Sequence, residues 1–221
     1  TIKQVRNLQS TQISPGPRLN FFTGKNASGK TSILESTFLL ARGKSFRTPR
    51  IQEVIQHGEK TLLVFARLMH EQGGRINTGL EKGYGETKIR YNGNKIKGIS
   101  EQSIGVPLVL ITQDSQMLVT TGPKERRHWL DWGMFHVEQD YLDVWKTYMK
   151  TLRQRNMLLK KGINKRDLYR AWEQAMIESG LYLARTRQQF LAELTAELQR
   201  QIIDIFPGEI KVKLSSNWPQ E

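Results

Sequence analysis

A chain of 221 residues, 38% of them hydrophobic, is long enough to bury a sizeable core as one large domain or two small ones. Its 34 Lys and Arg against 21 Asp and Glu leave a formal net charge of +13, which points to polyanionic partners: nucleic acid, nucleotides or an anionic surface. With no cysteine there are no disulfides, no thiolate metal site and no cysteine nucleophile, and without an apolar run of about 18 residues nothing reads as a membrane span.

In chain order, Ile2 to Leu8 reads as a strand, Pro15-Gly16-Pro17 as a turn and Leu19-Asn20-Phe21-Phe22-Thr23 as a second strand. Thr31 to Leu40 has the apolar spacing of a helix. Leu62 to Met69 reads as a third strand, and Ile76 to Leu80 and Lys88 to Tyr91 as weaker ones. Asn92-Gly93 is a strong hairpin signal, because both central positions of such a turn favour positive φ. Val106 to Ile111 is an apolar run suited to a buried strand. The character changes near residue 122. From Gln139 to Lys161 apolar residues recur at helical spacing, a break follows at Gly162-Ile163-Asn164, and a second helix runs from Asp167 to about Phe206. At about 60 Å it suggests a projecting arm, and its apolar spacing is not sustained as heptads. Pro207-Gly208 ends it, and Glu209 to Leu214 alternates like a returning strand. These features divide the chain into 1–123, a lobe of strands, 124–207, a helical lobe, and 208–221, the start of a return strand.

Gly24-Lys25-Asn26-Ala27-Ser28-Gly29-Lys30-Thr31 fits G-x-x-x-x-G-K-[ST] at every fixed position, with a strand expected before it and a helix after it. Gly24 and Gly29 permit backbone angles that turn the loop N–H groups inward as an anion nest, and the helix N-terminus adds partial positive charge. Lys30 can reach the β- and γ-phosphates of a nucleotide, and the Thr31 hydroxyl can ligate Mg2+. The whole loop, 24–31, is therefore the expected nucleotide site.

A working NTPase also needs an acid at a strand end. Leu108 to Ile111 is apolar, but Thr112 stands where the acid belongs, so Asp114 is a poor candidate, and Asp204 lies on a helical pattern. Asn164-Lys165-Arg166-Asp167 matches the guanine-reading N-K-x-D pattern but follows a basic helix end, which favours helix capping. His57, His70, His128 and His136 lack metal-ligand spacing. Trp129 and Trp132, at i, i+3 beside Leu130 and Phe135, read as core in preference to base-stacking platforms.

Residues 124–170 carry 12 Lys and Arg against 6 Asp and Glu, nearly half of the net charge in a fifth of the chain. Lys146, Lys150 and Arg153 follow i, i+4, i+7 spacing and form a basic stripe. Such a stripe either tracks phosphates without reading bases or is a solvated helix face.

Four blocks, 19–35, 42–48 (Arg42-Gly43-Lys44-Ser45-Phe46-Arg47-Thr48), 122–136 and Leu152-Arg153-Gln154-Arg155-Asn156, occur in an order that resembles the RecF family of bacterial recombination mediators. The resemblance covers residues 1 to about 156 well. It implies an α/β fold: a P-loop ATPase head of the ABC/SMC type, with a mixed sheet lobe and a helical second lobe bearing a long antiparallel helix arm. It implies ATP and Mg2+ as ligands, an ATP-dependent homodimer sandwiching the nucleotide, binding to DNA (single-stranded, gapped or double-stranded), work with RecR and RecO, recombinase loading and support of SOS induction. A cytoplasmic, nucleoid-associated location without membrane contact follows. By position, Gln113 resembles the Q-loop residue that touches Mg2+ and attacking water, and Arg47 and Thr48 lie where the family contacts nucleotide or DNA. The family's signature motif, near Leu-Ser-Arg-Gly-Gln, its Walker B aspartates and its switch histidine are not found here. The sequence thus looks like the first three-fifths of such a head. The resemblance implies a weak DNA-dependent ATPase in the complete family member, and this chain alone is expected to bind nucleotide weakly or not at all and to hydrolyse none. Two other readings stay open: a small P-loop kinase or other NTPase, and a protein-interaction fragment with an idle P-loop.

Overall fold

The computed structural model describes residues 1–69, 73–96, 98–99, 103, 105–120, 122–138, 140–163 and 166–205. They fall into two compact units, Thr1–Thr112 and the residues from Gln113 onward.

Among the described residues the first unit holds a six-stranded antiparallel sheet with a long helix packed on one face. Strands β1 (Ile2–Val5), β2 (Leu8–Thr11), β3 (Thr61–Met69), β4 (Arg75–Gly83), β5 (Thr87–Tyr91) and β6 (Asn94–Ile96) lie in the order β2-β1-β3-β4-β5-β6. Register explains the core. Ile2, Val64, Leu80, Ile89 and Ile96 are successive cross-strand partners, so one aliphatic row crosses five strands on a single face. Helix α1 (Lys30–Arg42) buries Leu39 and Leu40 in the same cluster. Gly43 ends α1 in a left-handed conformation (φ 65°), its N–H donating to Leu39 O at 2.8 Å; a Cβ there would meet Ile99 Cγ1 at 2.7 Å. Asn92 (φ 48°) and Gly93 (φ 85°) both take the positive φ expected of the β5–β6 turn.

Three strand expectations are corrected. Ile2 to Leu8 is not one strand but the start of a hairpin, because Arg6 takes φ 54° and turns the chain after Val5. Leu19 to Thr23 and Val106 to Ile111 form no strand. Leu19 and Phe21 are 74% and 80% exposed, and Val109 and Ile111 67% and 83%. An apolar run becomes a strand only where a neighbouring backbone receives its N–H and C=O groups, and no described segment offers one.

In the second unit, Gln113–Gln116 and Met117–Thr120 form two short helical turns, followed by α2 (Pro123–Val137), α3 (Tyr141–Lys160) and α4 (Arg166–Ile205). Pro123 occupies the first turn of α2, where its missing N–H costs nothing. Helix α4 is unbroken over 40 residues. α3 runs antiparallel to it: Tyr141 meets Arg187, Tyr148 packs on Gly180 and Arg155 reaches Glu173 at 3.5 Å. Met134, Tyr141 and Leu183 make the small core, with Phe135, Val144, Trp145, Tyr148 and Phe190 around it. Trp129 is corrected from core to surface at 39% exposure, since Leu130, Asp131 and Met134 carry the inward face of α2; Trp132 is half-buried against His136.

A buried polar knot joins these three helices. Tyr141 Oη donates to Asp131 Oδ1 (2.7 Å) and Trp145 Nε1 to Oδ2 (3.2 Å). Arg187 donates from Nη2 (2.6 Å) and Nε (3.0 Å) to Asp131 and from Nε to Tyr141 Oη (2.8 Å). Burial opposes the charge on Arg187, but Asp131 and Tyr141 outweigh it and raise its pKa. Burial, reinforced by Asp131, pushes the Tyr141 hydroxyl well above an ordinary phenol.

The expected return strand, Glu209 to Leu214, and the capping residue Asn164 lie outside the described residues.

Candidate functional site

The phosphate loop joins the exposed segment 19–23 to α1. Gly24 (φ 145°), Ala27 (φ 63°) and Gly29 (φ 95°) all leave the ordinary L-residue region, which curls 24–29 into a turn whose Ser28 N–H donates to Lys25 O at 3.3 Å. A Cβ on Gly29 would stand 2.7 Å from Leu8 Cδ2, so only glycine lets the loop seat against the β1–β2 hairpin. Lys30 Nζ folds back over the loop and donates to Gly24 O (2.8 Å) and Lys25 O (2.7 Å). Lys25, Asn26, Ala27, Ser28 and Thr31 are exposed around it. All eight residues read from the motif therefore meet in one place, with the ammonium at its centre.

Two supports for this loop escape a motif search. Asn7, in the β1–β2 turn, donates from Nδ2 to Ala27 O (2.8 Å) and accepts from Ser32 Oγ (2.9 Å), tying the loop apex to the first turn of α1. Glu35, one turn farther along α1, is fully buried. Arg6 binds it from two nitrogens (2.8 and 3.0 Å), the Ser45 hydroxyl donates to it and Arg47 lies 3.6 Å away. Burial alone would raise the Glu35 pKa; hydrogen bonds from Arg6 and Ser45 and the charges of Arg6 and Arg47 hold it below the ordinary value. The signal for both lay in Arg6-Asn7, two adjacent polar residues near the end of the segment Ile2 to Leu8 that reads as one strand.

The block 42–48 wraps this carboxylate. Phe46 packs edge-on against Phe38, with ring centroids 5.5 Å apart, and Ser45 Oγ accepts from the backbone N–H of Arg47 (2.9 Å) and Thr48 (3.3 Å). Arg47 is thus anchored while its guanidinium stays half in solvent.

Gln113 and Asp114 open the first helical turn of the second unit and are exposed, with no strand leading into them among the described residues. Lys146, Lys150 and Arg153 are all exposed on one side of α3, and Lys146 pairs with the more exposed Asp143 at 2.9 Å. Arg153 continues into a shallow groove with Asn156, Met157, Lys160 and Lys161, which lengthens the basic stripe to the helix end. Among the described residues no helix is long and apolar enough to cross a membrane, and no group of three His, Asp or Glu is placed to hold a metal ion.

The family profile described as an AAA domain matches residues 1–207. The chain belongs to the AAA domain family. Within it, the chain is 35% identical over 214 residues to the DNA replication and repair protein RecF of Marinomonas sp. (strain MWYL1), covering 96% of this chain and 58% of that protein. It is 36% identical over 220 residues to RecF of Shewanella woodyi, covering 98% and 60%. A solved structure of the recombination mediator protein RecF with ATP, in the RecFOR pathway, superposes with a TM-score of 0.82 at 26% identity, over 92% of this chain and 56% of that one. The resemblance to RecF is therefore borne out, as is the P-loop ATPase head with a helical second lobe. This AAA domain chain spans about three-fifths of the length of the curated relatives it matches.

Proposed function

We propose that the chain is the ATP-binding portion of a RecF-like mediator of recombinational DNA repair and replication. The observation that carries this is the loop 24–29, curled by three positive-φ residues around the Lys30 ammonium. It is a turn closed over the Lys30 ammonium through the Gly24 and Lys25 carbonyls, and a Cβ at Gly29 would spoil it. That arrangement fits a nucleotide triphosphate. The N–H groups of 24–29 would cradle the phosphates, Lys30 would exchange two carbonyl oxygens for phosphate oxygens, and the exposed Thr31 hydroxyl would take Mg2+. When bound, ATP supplies the charge that couples the head to association with a second copy. Gln113 is proposed to orient water. Lys146, Lys150 and Arg153 are proposed to track a DNA backbone, with RecR and RecO as protein partners and a cytoplasmic, nucleoid-associated site of action. The likeness to RecF solved with ATP in the RecFOR pathway supports the reading.

Titration with ATP–Mg2+, following bound nucleotide, released phosphate and mass together, tests it. Weak binding that disappears in Lys30→Ala, without turnover, is expected. Tight binding by a monomer with rapid turnover would replace the reading with a self-contained kinase. Nucleotide binding unaffected by Lys30→Ala would mean that the loop is idle.

A further inference from the structure

The sheet of the first unit has two faces, and only one is used by α1. Register identifies the other. Lys3 pairs with Leu63, Leu63 with Glu81 and Glu81 with Lys88; Phe65 pairs with Gly79, Gly79 with Arg90 and Arg90 with Lys95; Arg67 pairs with Asn77 and Met69 with Arg75. These rows alternate with the buried aliphatic row, so they stand on the opposite side of the sheet. That side carries six cations, Lys3, Arg67, Arg75, Lys88, Arg90 and Lys95, all exposed. Its one acid within the strands, Glu81, lies 3.4 Å from Lys88. The remaining five cations pair with no carboxylate among the described residues. A face that is merely solvated mixes both signs; one sign across five adjacent strands creates a field for an anion. From Lys3 on β1 to Lys95 on β6 is four strand spacings, about 19 Å, room for several successive phosphates.

The middle of the face is apolar. Phe65, on the central strand β3, has Leu63 and Arg67 on its own strand and Gly79 across from it. Its ring approaches within 3.5 Å of the point that a Cβ on Gly79 would occupy, so the ring leans into the space glycine leaves. An aromatic ring within a cationic rim on an open antiparallel sheet is the arrangement that stacks unpaired bases while the rim holds their phosphates. A duplex offers such a face only its backbone and leaves the ring unused.

We propose that the open face of this sheet, with Phe65 at its centre and Lys3, Arg67, Arg75, Arg90 and Lys95 around it, binds a single DNA strand through its phosphates and unpaired bases. This surface is additional to the α3 stripe and does not depend on it.

The test measures binding of fluorescent oligothymidylate, and of a duplex of equal length, across a salt series. It uses the whole chain and a background carrying Lys146→Ala, Lys150→Ala and Arg153→Ala. In both, Arg67→Gln with Arg90→Gln should lower the single-strand salt slope by about 1.4, since each lost phosphate contact contributes about 0.7. Phe65→Leu, which keeps an apolar cover over Gly79, should weaken single-strand binding at least about fivefold and leave the duplex unchanged. Unaltered melting temperatures show that the variants are folded. Sheet variants with unchanged slopes, while the α3 variant alone abolishes binding, overturn the proposal and leave the α3 reading standing. A silent α3 variant with a flattened slope in the sheet variants does the reverse. A duplex slope that falls as far as the single-strand slope, with Phe65→Leu silent, overturns the assignment to unpaired bases.

Discussion

Replacing Arg187 with methionine keeps the apolar stem of the side chain and removes its guanidinium. Three hydrogen bonds go with it: two to Asp131 and one to Tyr141. Asp131 and Arg187 are only 12% and 9% exposed at their side chains, so the abandoned carboxylate has little access to water. Removing one partner of a buried pair costs about 3–5 kcal/mol. Tyr141 and Trp145 continue to donate to Asp131, which places the expected loss at the lower end, about 3 kcal/mol. That is a large share of the stability of a small unit, about 5–15 kcal/mol. With a urea dependence of about 2 kcal/mol/M, the unfolding midpoint should fall by about 1.5 M. Four of the five tryptophans, at 129, 132, 145 and 172, lie on α2, α3 and α4, so tryptophan fluorescence reads chiefly the second unit. Adding Asp131→Asn to Arg187→Met removes the stranded charge and should recover more than half of the loss. A midpoint shift under about 0.5 M, or a double variant as unstable as the summed singles, would refute the assignment of this knot as the joint between α2, α3 and α4.

Gly29→Ala should both destabilise the first unit and abolish nucleotide binding, because φ 95° and a 2.7 Å contact with Leu8 leave no place for a methyl group; a thermal melt with a fluorescent-nucleotide titration reads both. Asn7→Ala should leave the fold intact and weaken nucleotide binding about fivefold, the loss of about 1 kcal/mol of loop support, and Asn7→Asp, which lacks the donor to Ala27 O, should not rescue it. The depressed Glu35 pKa contributes stability that is fully present above the unfolded carboxyl value of about 4.3 and is lost as pH falls through the lower folded value. Glu35→Gln should therefore flatten the acid limb of sheet unfolding followed by far-ultraviolet circular dichroism; an unchanged limb would remove Glu35 as its cause. Gly180→Val should press on Tyr148, whose ring is already 3.3 Å from the position of a Cβ there, and cost about 1–3 kcal/mol by tryptophan-monitored unfolding.

What the sequence made legible, and what it hid, divides on whether a residue's partner is near in the chain. The phosphate loop, α1, the Asn92-Gly93 turn and the unbroken α4 depend on local spacing, and all are present. The strands expected at 19–23 and 106–111 depended on distant backbone, which hydropathy does not report. Buried charge was equally hidden. Glu35, Asp131 and Arg187 interrupt apolar faces and read as solvent-facing until Arg6, Ser45 and Tyr141 arrive from elsewhere in the fold. Asn7 is the same case at the site itself: its two bonds reach 20 and 25 residues along the chain.

That reach has a consequence for assembly. The floor of the phosphate loop is the β1–β2 turn, and β1 is held in the sheet by β3, some sixty residues later. The loop therefore shares its footing with a long-range pairing, whose closure entropy is paid over some sixty residues. A ligand that fits only the finished loop then acts as ballast for the whole sheet, adding RT ln(1 + [L]/Kd) to its stability however far away a defect lies. A weakened β3 or β4 would be rescued by nucleotide in the medium, and the degree of rescue would gauge how complete the loop is.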